Sequence, residues 1–300
     1  MAARWARGRG GRPALLLALA LLALLAPAAQ AQGGITLLSA KAENRFPEGV
    51  LFSLSAQGDA PIQRVTLHYN LGGKGNIYAV PDFTPGAIVR AEFLLKVDGR
   101  LYIAPGTIIT YRWELEDEAG RRLVTDPAII AYDDLRFPWQ KLSRGNLTLY
   151  WYGGSRAGAE RLLQVGGEAI DRVAALTGAK MEGITVKVWA YANVEDMRPA
   201  LQRRSEAFER QVLTGGQRVS DDTVLILAGG GADDTLRHEL AHVVTHMAGE
   251  GAFGGLPAWL DEGTAVYAQA SPGGYGAALN AAVRQDRLLP ISSLITLPGT

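Results

Sequence analysis

The chain has 300 residues, 30 basic against 30 acidic side chains, 48% hydrophobic residues and no cysteine. Disulfides and thiolate metal sites are therefore excluded, and the absence of a basic excess gives no support to nucleic acid as a partner. The length suffices for two ordinary domains.

Residues 1–31 read as a secretory signal peptide. Arg4, Arg7, Arg9 and Arg12 form a positive start, Ala14 to Ala26 is an apolar run too short to span a bilayer, and Ala29-Gln30-Ala31 fits a small-x-small cleavage site. The expected location is outside the cytoplasm: secreted, periplasmic or on the cell surface, with no membrane span beyond the leader. Removing it takes four arginines and no acid, so the mature chain carries 26 basic against 30 acidic residues.

From residue 33 to 135 the pattern is β. Leu51 to Ser55, Arg64 to Tyr69, Arg90 to Leu95 and Thr107 to Leu115 alternate apolar and polar residues, and Gly72 to Asn76, Val97-Asp98-Gly99 and Glu118-Ala119-Gly120 punctuate them. The spacing predicts a β-sandwich of immunoglobulin or fibronectin-III type. His68 reads as a strand-surface histidine, Tyr111 and Trp113 as core. Pro138 and the change to helical spacing mark a domain boundary, with Trp139 packed between the domains.

Residues 140–300 alternate strand and helix. A strand from Leu147 to Tyr152 precedes a helix from about Ala157 to Leu176, whose stripe of Leu162, Leu163, Ile170, Val173 and Leu176 tolerates Gly166-Gly167 in its interior. Ile184 to Tyr191 reads as a strand, Val194 to about Arg210 as a polar helix and Thr223 to Ala228 as an apolar strand. Val212 to Asp222, with Gly215-Gly216, reads as a flexible rim. After the Gly229-Gly230-Gly231 loop, Asp233 and Asp234 offer a cap to a helix with an apolar side of Leu236, Leu240, Val243 and Val244.

That helix carries His238-Glu239-Leu240-Ala241-His242. Four positions apart on a helix, the two imidazoles emerge one above the other, the geometry two nitrogen ligands need to hold one Zn²⁺. Glu239 sits one position round, where it reaches a water instead of the metal and suits a general base. Leu256-Pro257-Ala258-Trp259-Leu260-Asp261-Glu262-Gly263 offers the third ligand, on a second helix that Pro257 is placed to open. Glu262 lies 20 residues beyond His242. Its neighbour Asp261 is an alternative, but the two point about 100° apart on a helix, so only one faces the histidines.

HELAH followed by LPAWLDEGTA resembles the gluzincin metallopeptidases, and within them the bacterial peptidase MA-like group. The resemblance implies a zinc held by His238, His242 and Glu262, with Glu239 as base and then acid, and it selects Glu262 over Asp261. A third-histidine zincin pattern is not met, since Thr245 and Ala248 occupy its glycine and histidine positions; His246 is thus not the third ligand. The resemblance also implies a zincin-like α/β lobe after the sandwich, a peptide or protein substrate, and an exposed sheet edge that pairs with an extended peptide. The strand forming that edge does not follow from the sequence.

Beyond Glu262 the helix is expected to run to about Ala270, Pro272-Gly273-Gly274 to break it, and Ala277 to Arg287 to form another. Related proteins continue with further helices, so either the C-terminal lobe is minimal or the sequence is truncated. An oxyanion stabiliser besides the metal is required, and with no histidine after His246 the candidates are Tyr267, Tyr275 and Arg284. The expected function is an exported zinc-dependent metallopeptidase. The alternative is a non-catalytic, zinc-stabilised envelope or surface-binding protein.

Overall fold

A computed structural model describes residues 31–32, 34–202, 215–249, 256–271, 273–291 and 293. All but the last residue of the expected leader lies outside them, as do the end of the helix expected to reach Arg210 and the start of the expected rim. No helix among the described residues is long and apolar enough to cross a membrane.

The first unit is wholly antiparallel: β1 (Ala31–Gln32), β2 (Ile35–Arg45), β3 (Gly49–Leu71), β4 (Lys74–Ala79), β5 (Gly86–Lys96), β6 (Thr107–Asp117), β7 (Arg122–Val124) and β8 (Ala128–Tyr132). The segments Leu51–Ser55 and Arg64–Tyr69, which alternation presents as two strands, belong to the single 23-residue β3. Its first half pairs with β2 and β5, its second half with β6 and β4, and the register shifts between Gln57 and Arg64. The strand folds sharply there. Phe52 and Tyr69, 17 positions apart, would lie about 56 Å from each other on a straight strand, yet their ring centroids are 6.4 Å apart. Phe52 also meets Tyr111 of β6 edge-on at 4.9 Å, so the halves of β3 face each other across a core that includes Trp113, Leu67 and Val50. His68 lies on a strand with its Nε2 3.1 Å from Glu114.

The second unit has a five-stranded sheet: β9 (Gln140–Arg144), β10 (Leu147–Trp151), β11 (Val186–Tyr191), β12 (Gly216–Arg218) and β13 (Thr223–Leu227), in the order β12-β13-β11-β10-β9. The three central strands are parallel and the two outer ones antiparallel to their neighbours. Both faces are covered, which is why β11 reads as a nearly unbroken apolar run. Val186, Val188 and Ala190 pack beneath helices α1 (Arg156–Thr177) and α3 (Ala232–Gly249). Trp189 and Tyr191 face the other way, toward Ala104 and Tyr102 of the first unit. Trp139 stands edge-on to Trp189 at 4.8 Å and to Tyr191 at 5.0 Å, and its Nε1 donates to the Asp134 carbonyl. The fully buried Asp134 carboxylate accepts from Arg136 and the Tyr191 hydroxyl. The charge of Asp134 buried at this junction is thus paired, whereas the Trp189 Nε1 has no hydrogen-bond partner among the described residues.

Two helical expectations change. The helix from Val194 is only α2 (Val194–Met197), continued by a tight turn over Arg198–Ala200 in which Pro199 interrupts the donor ladder. Asp233 and Asp234 do not cap α3; it begins at Ala232, and both acids lie in its first turn, where negative charge complements the helix dipole. Two further helices follow: α4 (Ala258–Ala268), with Pro257 at its N-cap, and α5 (Tyr275–Arg284).

Candidate metal centre

Helix α3 packs on α1 through Leu236 and Leu240, fully buried, and so presents the neighbouring face of the same turns toward α4. Gly166 makes this approach possible. A Cβ there would lie 2.7 Å from Leu147, 3.1 Å from Leu240 and 3.3 Å from Leu236 side-chain atoms, whereas a Cβ at Gly167 would meet nothing within 4 Å. The first glycine is a packing requirement; the second is not.

On the half-buried face of α3 turned toward α4 the Nε2 atoms of His238 and His242 are 3.2 Å apart. Glu262 of α4 brings its Oε2 to 3.6 Å from His238 Nε2 and 3.7 Å from His242 Nε2. Ligands about 2.05 Å from a tetrahedral ion sit about 3.3 Å from one another, so the three atoms mark out one face of such a tetrahedron. These residues form the one metal-competent group of histidine and acidic side chains found among the described residues.

Asp261 takes a different position. Its Oδ2 lies 3.0 Å from His242 Nδ1, on the opposite side of the ring from the converging atoms, and its Oδ1 accepts from Thr245. A carboxylate there fixes the orientation of the imidazole and raises its basicity. Burial works against the charged form of Asp261, but its contacts with His242 and Thr245 outweigh this and keep the carboxyl below its ordinary range. Burial also works against charged His242, and here the Asp261 contact together with Glu239 and Glu262 raises the pKa above the usual value. His238 is shifted down, by burial and then by the charge of His242. His246 turns away from the group, with its Nε2 3.0 Å from Asp221.

Glu239 reaches the sheet. One of its carboxylate oxygens accepts the backbone N–H of Arg218 at 2.8 Å. Burial raises its pKa, against the opposing effects of His242 and that N–H, which suits a group that must take up a proton. Strand β12 is the outermost strand on this side among the described residues. In its ladder Gly215 and Val219 bond to β13, so by alternation the N–H and C=O groups of Gly216 and Arg218 point away from it. A Cβ on Gly216 would sit 2.6 Å from Thr235 and 2.9 Å from Glu239 side-chain atoms. Only glycine lets the strand come this close to α3. The segment read as a flexible rim therefore contains the edge strand itself, and neither Gly216 nor Arg218 was identifiable as a site residue beforehand. The Gly215-Gly216 pair was the available signal.

Tyr267 lies about 140° round α4 from Glu262. Its ring stacks on Arg172 of α1 at 4.7 Å, and it is 58% exposed. The structure does not bring it to the histidines. Tyr275 and Arg284 lie on α5, which has no buried residue.

Residues 165–297 match the family model described as the Peptidase MA superfamily. The match spans α3, α4 and all of the residues converging above, and it supports a hydrolase of the peptidase type. Among solved structures the chain is similar to yeast LTA4 hydrolase in complex with bestatin, at 10% identity and a TM-score of 0.30, covering 78% of this chain and 45% of that one. It is also similar to a family 56 carbohydrate-binding module described as a β-1,3-glucan binding domain, at 15% identity and a TM-score of 0.20, covering 31% of this chain and 95% of that one. The chain spans less than half the length of the yeast hydrolase. No curated protein matches it.

Proposed function

We propose that this protein is a zinc-dependent metallopeptidase in which His238, His242 and Glu262 hold the ion and Glu239 is the general base. The observation that carries the reading is the convergence of the three ligand atoms at tetrahedral spacing, with the Glu239 carboxylate one helix position away at a strand edge. When bound, the ion would acidify a water and polarise the carbonyl of the bond to be cut.

The chain's own residues account for the rest. Glu239 takes one proton from the attacking water as the oxygen adds to the carbonyl carbon, and later delivers that proton to the leaving amine as the C–N bond breaks. The products are a carboxylate and a free amine. Asp261 keeps the His242 ring in register, and the Arg218 N–H holds Glu239 by one oxygen, leaving the other for the proton. An extended peptide adds to β12 through the outward backbone groups of Gly216 and the Arg218 carbonyl, with the backbone ladder supplying affinity.

The same reading includes an N-terminal sandwich of immunoglobulin or fibronectin-III type, a zincin-like second lobe and export directed by residues 1–31; N-terminal sequencing of the protein recovered outside the cytoplasm checks the last. The deciding experiment measures metal content and cleavage of an unstructured protein by wild type and Glu239→Gln. One zinc per chain in both proteins, with cleavage lost only in the variant, is the expected result. One zinc and no cleavage by wild type would instead favour a zinc-stabilised binding protein, and no zinc would sink the proposal.

A further inference from the structure

We infer that Arg218 is a specificity-determining residue that selects an acidic side chain in the bound peptide; this deepens the proposed peptidase reading and rests on it. Register fixes where the side chain goes. Arg218 stands opposite Val224 and Gly216 opposite Ile226, and cross-strand partners share a face of the sheet. Val224 and Ile226 belong to the core beneath α1 and α3, so Arg218 projects on the side of the metal-competent group. Gly216 shares that face and has no side chain. Arg218 is therefore the one β12 residue that puts a functional group there.

The acids around it are already engaged. Glu239 accepts the Arg218 N–H, Asp261 lies against His242 and Thr245, Glu262 faces the two histidine Nε2 atoms, and Asp222 pairs with Lys187. Among the described residues the polar contact of Arg218 at this site is that of its backbone N–H, not of its guanidinium, and the residue is half-buried. A peptide residue opposite Arg218 in an added strand would bring its Cβ within about 5 Å of the arginine Cβ. A carboxylate at that position meets the fork of donors that guanidinium offers, in a partly desolvated site where such a bond is strong.

The test uses the mature chain and quenched fluorogenic peptides that differ only in carrying Glu, Ala or Lys at one position, scanned in turn along the peptide. For wild type kcat/KM is expected to be about tenfold higher with Glu than with Ala at one position, the effect of one charge-assisted bond. Arg218→Ala should bring that ratio to near one, Arg218→Lys should keep part of it, and Arg218→Glu should make Lys the favoured residue. A merely structural role would lower all three peptides together. The same labelled peptides, titrated by fluorescence anisotropy against Glu239→Gln protein, should show the same order in binding, with the Glu preference fading as salt is raised.

Equal Glu-to-Ala ratios in wild type and both charge-altering variants would overturn the inference while leaving the peptidase reading intact. If wild type cleaves none of the peptides, the peptidase reading fails and the binding titration decides the inference. Loss of the Glu preference in a double variant carrying Arg218→Ala upholds it, and no preference at any position overturns it. Zinc content and thermal unfolding of each variant exclude misfolding as the cause.

Discussion

The backbone N–H of Arg218 donates to the carboxylate of Glu239 at 2.8 Å, which joins the outermost strand of the sheet to the helix that carries both histidines. The bond comes from a backbone position whose N–H points away from β13, so it can be removed without touching the ladder. Arg218→Pro does this, since proline lacks the donor and is tolerated at outward-facing positions of edge strands. Arg218→Ala keeps it. With a neutral peptide the expected outcome is a fall in kcat of at least about tenfold for the proline variant relative to the alanine variant, with KM changing less and zinc content the same in both. Equal kcat values would show that the bond does not position Glu239.

Asp261 makes a separable prediction. It touches His242 at Nδ1, on the far side of the ring from the converging atoms, so its removal should leave all three proposed ligands in place and loosen one of them. Outer carboxylates of this kind are worth about 10–100-fold in metal affinity. Asp261→Asn is expected to bind zinc more weakly by about that factor in a competition titration with a chromophoric chelator, whereas Glu262→Gln should lose the site altogether. Tight zinc binding by the Glu262 variant, with loss in the Asp261 variant, would exchange the two roles.

The metal-competent residues were legible in the sequence because helix periodicity is local: four positions separate His238 from His242 whatever the rest of the chain does. The choice between Asp261 and Glu262 was not settled by periodicity, since it depends on how α4 is rotated against α3. Nor could the edge strand be read. A three-residue strand has no periodic signal, and what identifies Gly216 is contact with Thr235, 19 residues later in the chain on α3. In the first unit, alternation located the segments of β3 but divided them, because the register shifts between 57 and 64 and the two halves take different partners.

The paired glycines of α1 should respond in opposite directions to the same substitution. Gly167 has open space around its missing Cβ, so Gly167→Ala should raise stability by about 1 kcal/mol through helix propensity. Gly166→Ala gains the same propensity but drives a methyl group against buried leucine side chains of β10 and α3. Overpacking of this kind costs about 1–3 kcal/mol, and the net effect should be destabilising. Urea or thermal unfolding of the two single variants decides the matter. If both were stabilised, α1 would not be in close contact with α3.

Asp234 ties the packing of α4 on α3 to pH. From the first turn of α3 its carboxylate accepts from Arg237 and from the backbone N–H groups of Ala270 and Ser271, just past the end of α4. Desolvation opposes the charged form, but these donors prevail and the carboxyl is held below its ordinary range. A depressed folded-state pKa means the folded protein binds the proton less readily than the unfolded chain, so the stabilisation is complete above the ordinary aspartate value of about 3.9 and is lost as pH falls through the folded value. Asp234→Ala should therefore be less stable than wild type by about 1–2 kcal/mol at neutral pH, the worth of a charge-assisted set of bonds that is partly open to solvent. The difference should shrink steadily below about pH 4, where wild type also loses the bond to α4. Melting temperatures of both proteins from pH 7 to pH 3 provide the check. A gap that stayed constant over that range would mean that Asp234 holds α4 through packing and not through its charge.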